Sequence, residues 1–153
     1  MYPTSDTRTQ FKVLVPTDFS DISRNAVAYV FSAFGDRITH LLLLNAYKQR
    51  APEAVPMITL ADILHEKSVR MMQIELKHIH SLQHGAGLLV QTWSRFQGLL
   101  ESMVEISEEE DVDLIVMGSN GNIHPRVEAH DEDPGFIIHK LNRPLMLVPK
   151  LLN

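Results

Sequence analysis

Cysteine is absent from all 153 residues. That excludes a disulfide framework, a thiolate metal ligand, a cysteine nucleophile and a thioredoxin-like redox pair. Long apolar runs are missing too. Runs such as Leu41 to Leu44 and Leu114 to Met117 fall far short of the ~20 residues needed to cross a bilayer, so no membrane span is expected. Basic charge is scarce: 14 Lys and Arg stand against 19 Asp and Glu, a formal net charge of −5. With no basic stripe to displace phosphate counterions, nucleic acid is not an expected partner. Met1 to Gln10 holds one Arg and no apolar stretch, so neither a secretory signal nor a transit peptide is expected there. Residues 1–10 read as a loose arm ahead of one domain, 11–153, and the lack of cysteine suits the cytoplasm.

What is present is ordinary for a globular chain, with 44% hydrophobic and 22% charged residues. At this length one core buries roughly two thirds of the unfolded surface. Phe11-Lys-Val-Leu-Val-Pro16 is a short β-branched run ended by proline, and Thr-Asp-Phe-Ser after it suits a loop and a helix cap. Ile22, Ala26, Tyr29, Val30, Ala33 and Phe34 then recur at helical steps up to Gly35. Ile38 to Asn45 reads as a strand buried on both faces, Ala51 to Met57 as a surface loop, and Leu60 to Leu82 as the longest helix. On that helix Leu64, Met71, Met72, Leu76, Ile79 and Leu82 form the apolar stripe, with Lys67, Arg70, Gln73, Glu75 and Lys77 largely opposite.

A third strand is expected over Leu88 to Trp93, a third helix from Leu99 through Ile106, and a fourth strand over Asp113 to Gly118. A short helix over Phe136 to Leu141 and a fifth strand over Pro144 to Pro149 complete a β-α-β-α-β-α-β-α-β order. Such alternation predicts one doubly wound α/β domain, an open five-stranded parallel sheet with helices on both faces. Ligands of these sheets bind beyond the carboxyl ends of the strands where strand order reverses, here the loops after Val15 and after Met117.

Three segments carry a resemblance. Val-Leu-Val-Pro-Thr-Asp-Phe-Ser (13–20), Asp-Val-Asp-Leu-Ile-Val-Met-Gly-Ser-Asn-Gly (111–121) and Arg-Pro-Leu-Met-Leu-Val-Pro (143–149) together resemble the signature segments of universal stress proteins. The resemblance implies an adenine nucleotide alpha-hydrolase-like fold, homodimers through the last strand (Leu145, Met146, Leu147, Val148), a regulatory stress-response role without settled enzyme activity, and, in one branch, bound ATP. It also carries a nucleotide site onto Pro16, Thr17, Asp18, Met117, Gly118 and Gly121, with Asp18 at the adenosine end.

Family ATP binders continue with nine residues after the second glycine, then Gly and Ser or Thr. Here that count from Gly121 lands on Asp131 and Glu132. Glycine admits backbone N–H groups close to phosphate, and the hydroxyl donates where the helix dipole is also positive. Ionised Asp131 and Glu132 donate nothing, and Asp133 and Glu128 add like charge. Two unit charges about 5 Å apart repel by roughly 1 to 3 kcal/mol near a protein surface, so several carboxylates offset most of a micromolar affinity unless a divalent cation intervenes. The expectation is a degraded phosphate loop and no resident cofactor, acting through an unknown protein partner. The alternative is an adenine-nucleotide sensor using Asp18, Gly118 and Gly121, metal-assisted.

His124, His130, Asp131 and Asp133 could offer that metal hard and borderline ligands, against the plainer reading of an acidic surface loop. His80 and His84 share a helical face but lack the glutamate of a His-Glu-x-x-His motif. Ser119 has no nucleophile elbow around it, so hydrolysis is not expected. Glu108 to Asp111 reads as solubilising charge, and Trp93 and Phe96 as core aromatics.

Overall fold

The computed structural model describes residues 10–48, 55–82, 87–119 and 140–150. Five strands form one parallel sheet: β1 (Lys12–Pro16), β2 (His40–Ala46), β3 (Leu89–Arg95), β4 (Leu114–Ser119) and β5 (Leu145–Pro149), in the order β3-β2-β1-β4-β5. Helix α1 (Asp21–Phe34) joins β1 to β2, α2 (Met57–Leu82) joins β2 to β3, and α3 (Leu99–Glu109) precedes β4. Right-handed crossovers moving outward from β1 put α1 and α2 on one face. The crossover from β3 back past β1 to β4 must run over the other.

The two cores bear this out. Val13, Val15, Leu41, Leu43, Val116 and Val148 meet Ala26, Val27 and Val30 of α1 and Met72 and Ile79 of α2. Leu14, Leu42, Leu44, Ile115 and Met117 meet Leu100, Met103 and Ile106 of α3 together with Leu141. Alternate residues of β1 and β2 thus enter opposite cores, which is why Val13 to Val15 and Leu41 to Leu44 are apolar at every position. All four leucines of Leu41–Leu44 have no exposed surface, and truncating any one to alanine would cost about 2 to 5 kcal/mol.

The sequence expectation of a five-stranded doubly wound sheet therefore holds, with boundaries that shift for identifiable reasons. Helix α1 starts after Ser20, which caps Ser23 N at 3.3 Å. It stops where Gly35 takes φ 53° and donates its N–H to Phe31 O. Helix α2 begins three residues before the expected Leu60, because Pro56 O accepts from both Thr59 and Leu60 N–H at 3.1 Å. Strand β3 runs two residues past Trp93, as Ser94 and Arg95 pair with Asn45 and Ala46. Of the expected short helix over Phe136 to Leu141, only Lys140 and Leu141 fall among the described residues, and both are helical.

Two expectations about charged residues are corrected. Glu75 does not lie on the solvent side of α2. It is 1% exposed and pairs with Arg24 Nε of α1 at 3.1 Å, so the ionic contact, not apolar periodicity, decides which way that turn faces. The acids closing α3 do more than solubilise: Glu109 lies 3.6 Å from Arg95, Asp111 lies 3.0 Å from Arg143, and Glu110 O accepts from Lys12 Nζ.

Candidate functional site

Strand order reverses between the neighbours β1 and β4, since the chain goes on from β1 to β2 on one side and from β4 to β5 on the other, and a crevice opens beyond the carboxyl ends of strands at such a reversal. A cleft of about 610 Å³ occupies that place. Pro16, Thr17 and Asp18 line it from the end of β1, Asn45 to Lys48 from the end of β2, and Met117 to Ser119 from β4. Leu64, Lys67, Ser68 and Met71 of α2, spaced i, i+3, i+4 and i+7, complete a wall.

The loop after β1 is held from several sides. Thr17 N donates to Leu44 O at 2.8 Å, and Asn45 Nδ2 donates to Thr17 O at 2.8 Å. Thr17 Oγ1 accepts from Phe19 N at 2.9 Å, bending the chain so that Phe19 takes φ 67°, a left-handed conformation unusual for a bulky residue. This turn points Asp18 back at the start of α1. Its Oδ1 accepts from Ser20 N at 3.0 Å and from the Ser20 hydroxyl, and it lies 3.2 Å from Ser23 Oγ. Partial burial opposes ionisation of Asp18, but the Ser20 and Ser23 hydrogen bonds outweigh it and hold the carboxyl below its ordinary value of 3.8. None of these bonds uses Oδ2, and the residue is exposed at the cleft.

Asp18 is therefore a helix-end residue that also lines the cleft. Gly118 likewise has a local cause. A Cβ built there would lie 2.4 Å from Ile22 O and 2.7 Å from Ile22 Cγ2, so only glycine lets α1 lie this close to β4. Phosphate contact is not needed to explain it.

Pro16, Thr17, Asp18, Met117 and Gly118 thus line one cleft. Gly121, Asp131 and Glu132 of the degraded phosphate loop, and the metal candidates His124, His130, Asp131 and Asp133, lie outside the described residues. Among the described residues no cluster of three or more His, Asp or Glu could hold a metal. Sequence reasoning missed Asn45, Tyr47, Lys48 and Lys67. Tyr47 sits between the His65 and Phe96 rings, with its hydroxyl 2.6 Å from His65 Nδ1 and its phenol pushed up by burial. Trp93 packs on the α3-side core. The position of Asn45 and Lys48 at the carboxyl end of β2 was a usable signal, since that strand neighbours the switch point.

A model of the universal stress protein family matches residues 11–128, most of the chain. The chain belongs to the universal stress protein family. It is 24% identical over 155 residues to the universal stress protein MJ0577 of Methanocaldococcus jannaschii, covering 91% of this chain and 94% of that one. The solved structure of MJ0577 superposes with a TM-score of 0.66 at 22% identity, over 93% and 97% of the two chains. The protein PH0823 gives a TM-score of 0.70 at 23% identity, over 94% and 98%. A universal stress protein of Arabidopsis thaliana with AMP bound gives 0.61 at 14%, over 92% of each chain. At these identities the structural likeness speaks to the fold, and among the described residues no helix is long and apolar enough to cross a membrane.

Proposed function

We propose that this universal stress protein is a non-enzymatic, cytoplasmic, homodimeric regulator whose cleft takes the adenosine end of a nucleotide and whose grip on a triphosphate is degraded. The observation that carries this reading is Asp18: Oδ1 is occupied by its own helix end, the carboxyl is held ionised, and Oδ2 takes none of those bonds at the mouth of the cleft. An ionised carboxylate only accepts hydrogen bonds. It therefore favours a base that presents an amino group, as adenine does, over one that presents a carbonyl at the same place. The Arabidopsis relative carries AMP in the same fold, which supports an adenine ligand with few phosphates.

The sequence supports the loss at the phosphate end, because Asp131 and Glu132 stand where ATP-binding members have Gly and a hydroxyl residue. Neither can donate, and both repel a polyphosphate. Signal output then rests on contacts with a partner protein, made in the dimer through Leu145 to Val148.

Calorimetric titration of adenosine, AMP and ATP, with and without Mn²⁺, tests this. AMP is expected to bind at or below ~10 μM, worth about 7 kcal/mol, and ATP more weakly in the absence of metal. No turnover of ATP is expected with Mg²⁺ or Mn²⁺. The pair Asp131→Gly and Glu132→Ser should raise the affinity for ATP without changing that for adenosine. No heat and no shift in melting temperature with any adenine ligand would overturn the nucleotide reading and leave a scaffold acting through protein contacts alone.

A further inference from the structure

Helix α2 is longer than the sheet it covers. Its 26 residues extend about 39 Å at 1.5 Å each, whereas the seven residues of β2 or of β3 extend about 23 Å. In a β-α-β crossover the helix runs back against the strands, so α2 starts at their carboxyl ends, on the side of the cleft. Ser68 Oγ donates to Ser94 Oγ at 2.6 Å, one residue before the end of β3, which sets the level of the sheet's edge. The turns that follow are packed: Ser68, Met72, Glu75 and Ile79, at i, i+4, i+7 and i+11, are buried. The remaining length, about 16 Å or about eleven residues, is the overhang 57–67, and none of its residues is buried.

Helices draw most of their stability from tertiary packing, and this overhang has little. Met57, Ile58 and Ile63 are exposed on it, Ile58 by 76%. Among the described residues one hydrogen bond ties 57–67 to another part of the fold: the Tyr47 hydroxyl lies 2.6 Å from His65 Nδ1, with the two rings 6.4 Å apart between centroids. Tyr47 itself is fixed. Its N–H donates to Arg95 O at 2.8 Å and its ring lies 6.0 Å from that of Phe96, while Arg95 pairs with Glu105 of α3. The contact thus joins a weakly supported helix end to a rigid part of the frame. The same overhang brings Leu64 and Lys67 into the wall of the cleft, which Tyr47 also lines.

We propose that residues 57–67 of α2 are a lid on the cleft, hinged at Ser68 and latched by the Tyr47–His65 contact. Opening unwinds turns that bury no residue, so it belongs to the low-free-energy end of local unfolding and leaves the packed turns from Ser68 to Ile79 in place. It carries Leu64 and Lys67 away and uncovers Met71, which lies four residues after Lys67 on the same flank of the helix. Closure rests on one hydrogen bond and one ring contact, whose net worth in water is small. Open and closed states therefore lie close enough for a ligand to shift the balance between them. The lid follows from the geometry of the cleft, whichever ligand enters.

Hydrogen exchange read by mass spectrometry on the full chain tests this, with Tyr47→Phe, His65→Ala and the double variant. In the unaltered chain the amides of 61–67 are expected to exchange at least about tenfold faster than those of 72–79. Tyr47→Phe keeps the ring against Phe96 and removes only the hydroxyl. It should quicken exchange over 61–67 by about two- to tenfold while 72–79 and the melting temperature stay as they were. Alanine's better helix propensity slows exchange in either background, so the contact is read from the cycle: the double variant should exchange about two- to tenfold more slowly than the product of the single effects. Peroxide oxidation reads the cleft side. Met71 should be oxidised faster in Tyr47→Phe, and Met72, 3% exposed in the core, should keep its rate. Equal exchange in the two halves of α2, additive effects of the two substitutions, or an unchanged rate at Met71 would each overturn the lid. A lower melting temperature with both halves quickened alike would overturn it too, making the contact a support for the whole helix.

Discussion

At the residue scale, Gly118 is explained by what surrounds it. Its backbone lies so close to α1 that a single added carbon would press on the carbonyl of Ile22. That contact is with backbone, which cannot rotate away as a side-chain tip could. Gly118→Ala should therefore destabilise the protein by about 1 to 3 kcal/mol, seen as a lower melting temperature with no nucleotide present. An unchanged melting temperature would mean that α1 slides off β4 at no cost. The glycine was legible in the sequence as part of a family motif, and so was the loop Pro16-Thr17-Asp18. Its reason was not legible, because Ile22 and Gly118 are neighbours only after β4 has paired with β1. Asp18 shows the same limit. That it bonds to the helix end could be read from its place before Ser20; that Oδ1 alone does so while the residue lines the cleft required the turn at Phe19.

At the scale of elements, α2 is the helix whose outline sequence periodicity captured and whose orientation it misjudged at one turn. Glu75 is 1% exposed, its Oε1 meets Arg24, and its Oε2 has no hydrogen-bond partner among the described residues. A buried carboxylate left without its cation costs more than the pair contributes. Arg24→Ala should therefore be the more damaging change, by about 3 to 5 kcal/mol. Glu75→Gln, which keeps a hydrogen-bonding oxygen and removes the charge, should cost clearly less. Denaturant unfolding of the two variants gives the comparison; equal losses would mean that the pair contributes through packing alone. The tie between α1 and α2 also bears on the cleft, since both helices border it, through Ile22 and Ser23 on one side and Lys67 and Ser68 on the other.

At the scale of the whole molecule the sheet has two edges of unlike character. Among the described residues β3 pairs only with β2 and carries Gln91, Thr92, Ser94 and Arg95, whereas β5 pairs only with β4 and reads Leu-Met-Leu-Val-Pro. Polar and charged residues blunt an edge, and an apolar edge invites another strand. Pairing of two copies through β5 is the expected outcome, and sedimentation or light scattering at micromolar concentration should give twice the mass of the 17.4 kDa chain. A monomer mass would rule this arrangement out and leave the edge of β5 to a different partner.

Much of this architecture was determined by the sequence itself. Strand and helix signals depend on residues two, three or four positions apart, so the element order, the doubly buried strands and the capped start of α1 could be read from local pattern. The signature segments identified the family because they preserve that pattern in order. The tertiary structure decided which residues from distant elements share a space. Asp18, Lys48, Lys67 and Gly118 meet at one cleft because parallel pairing aligns the ends of β1, β2 and β4 while the right-handed crossover lays α2 beside them. Neither the meeting of these residues nor the burial of Glu75 has a local signature, since each arises from the register of strands and the rotation of a helix about its axis.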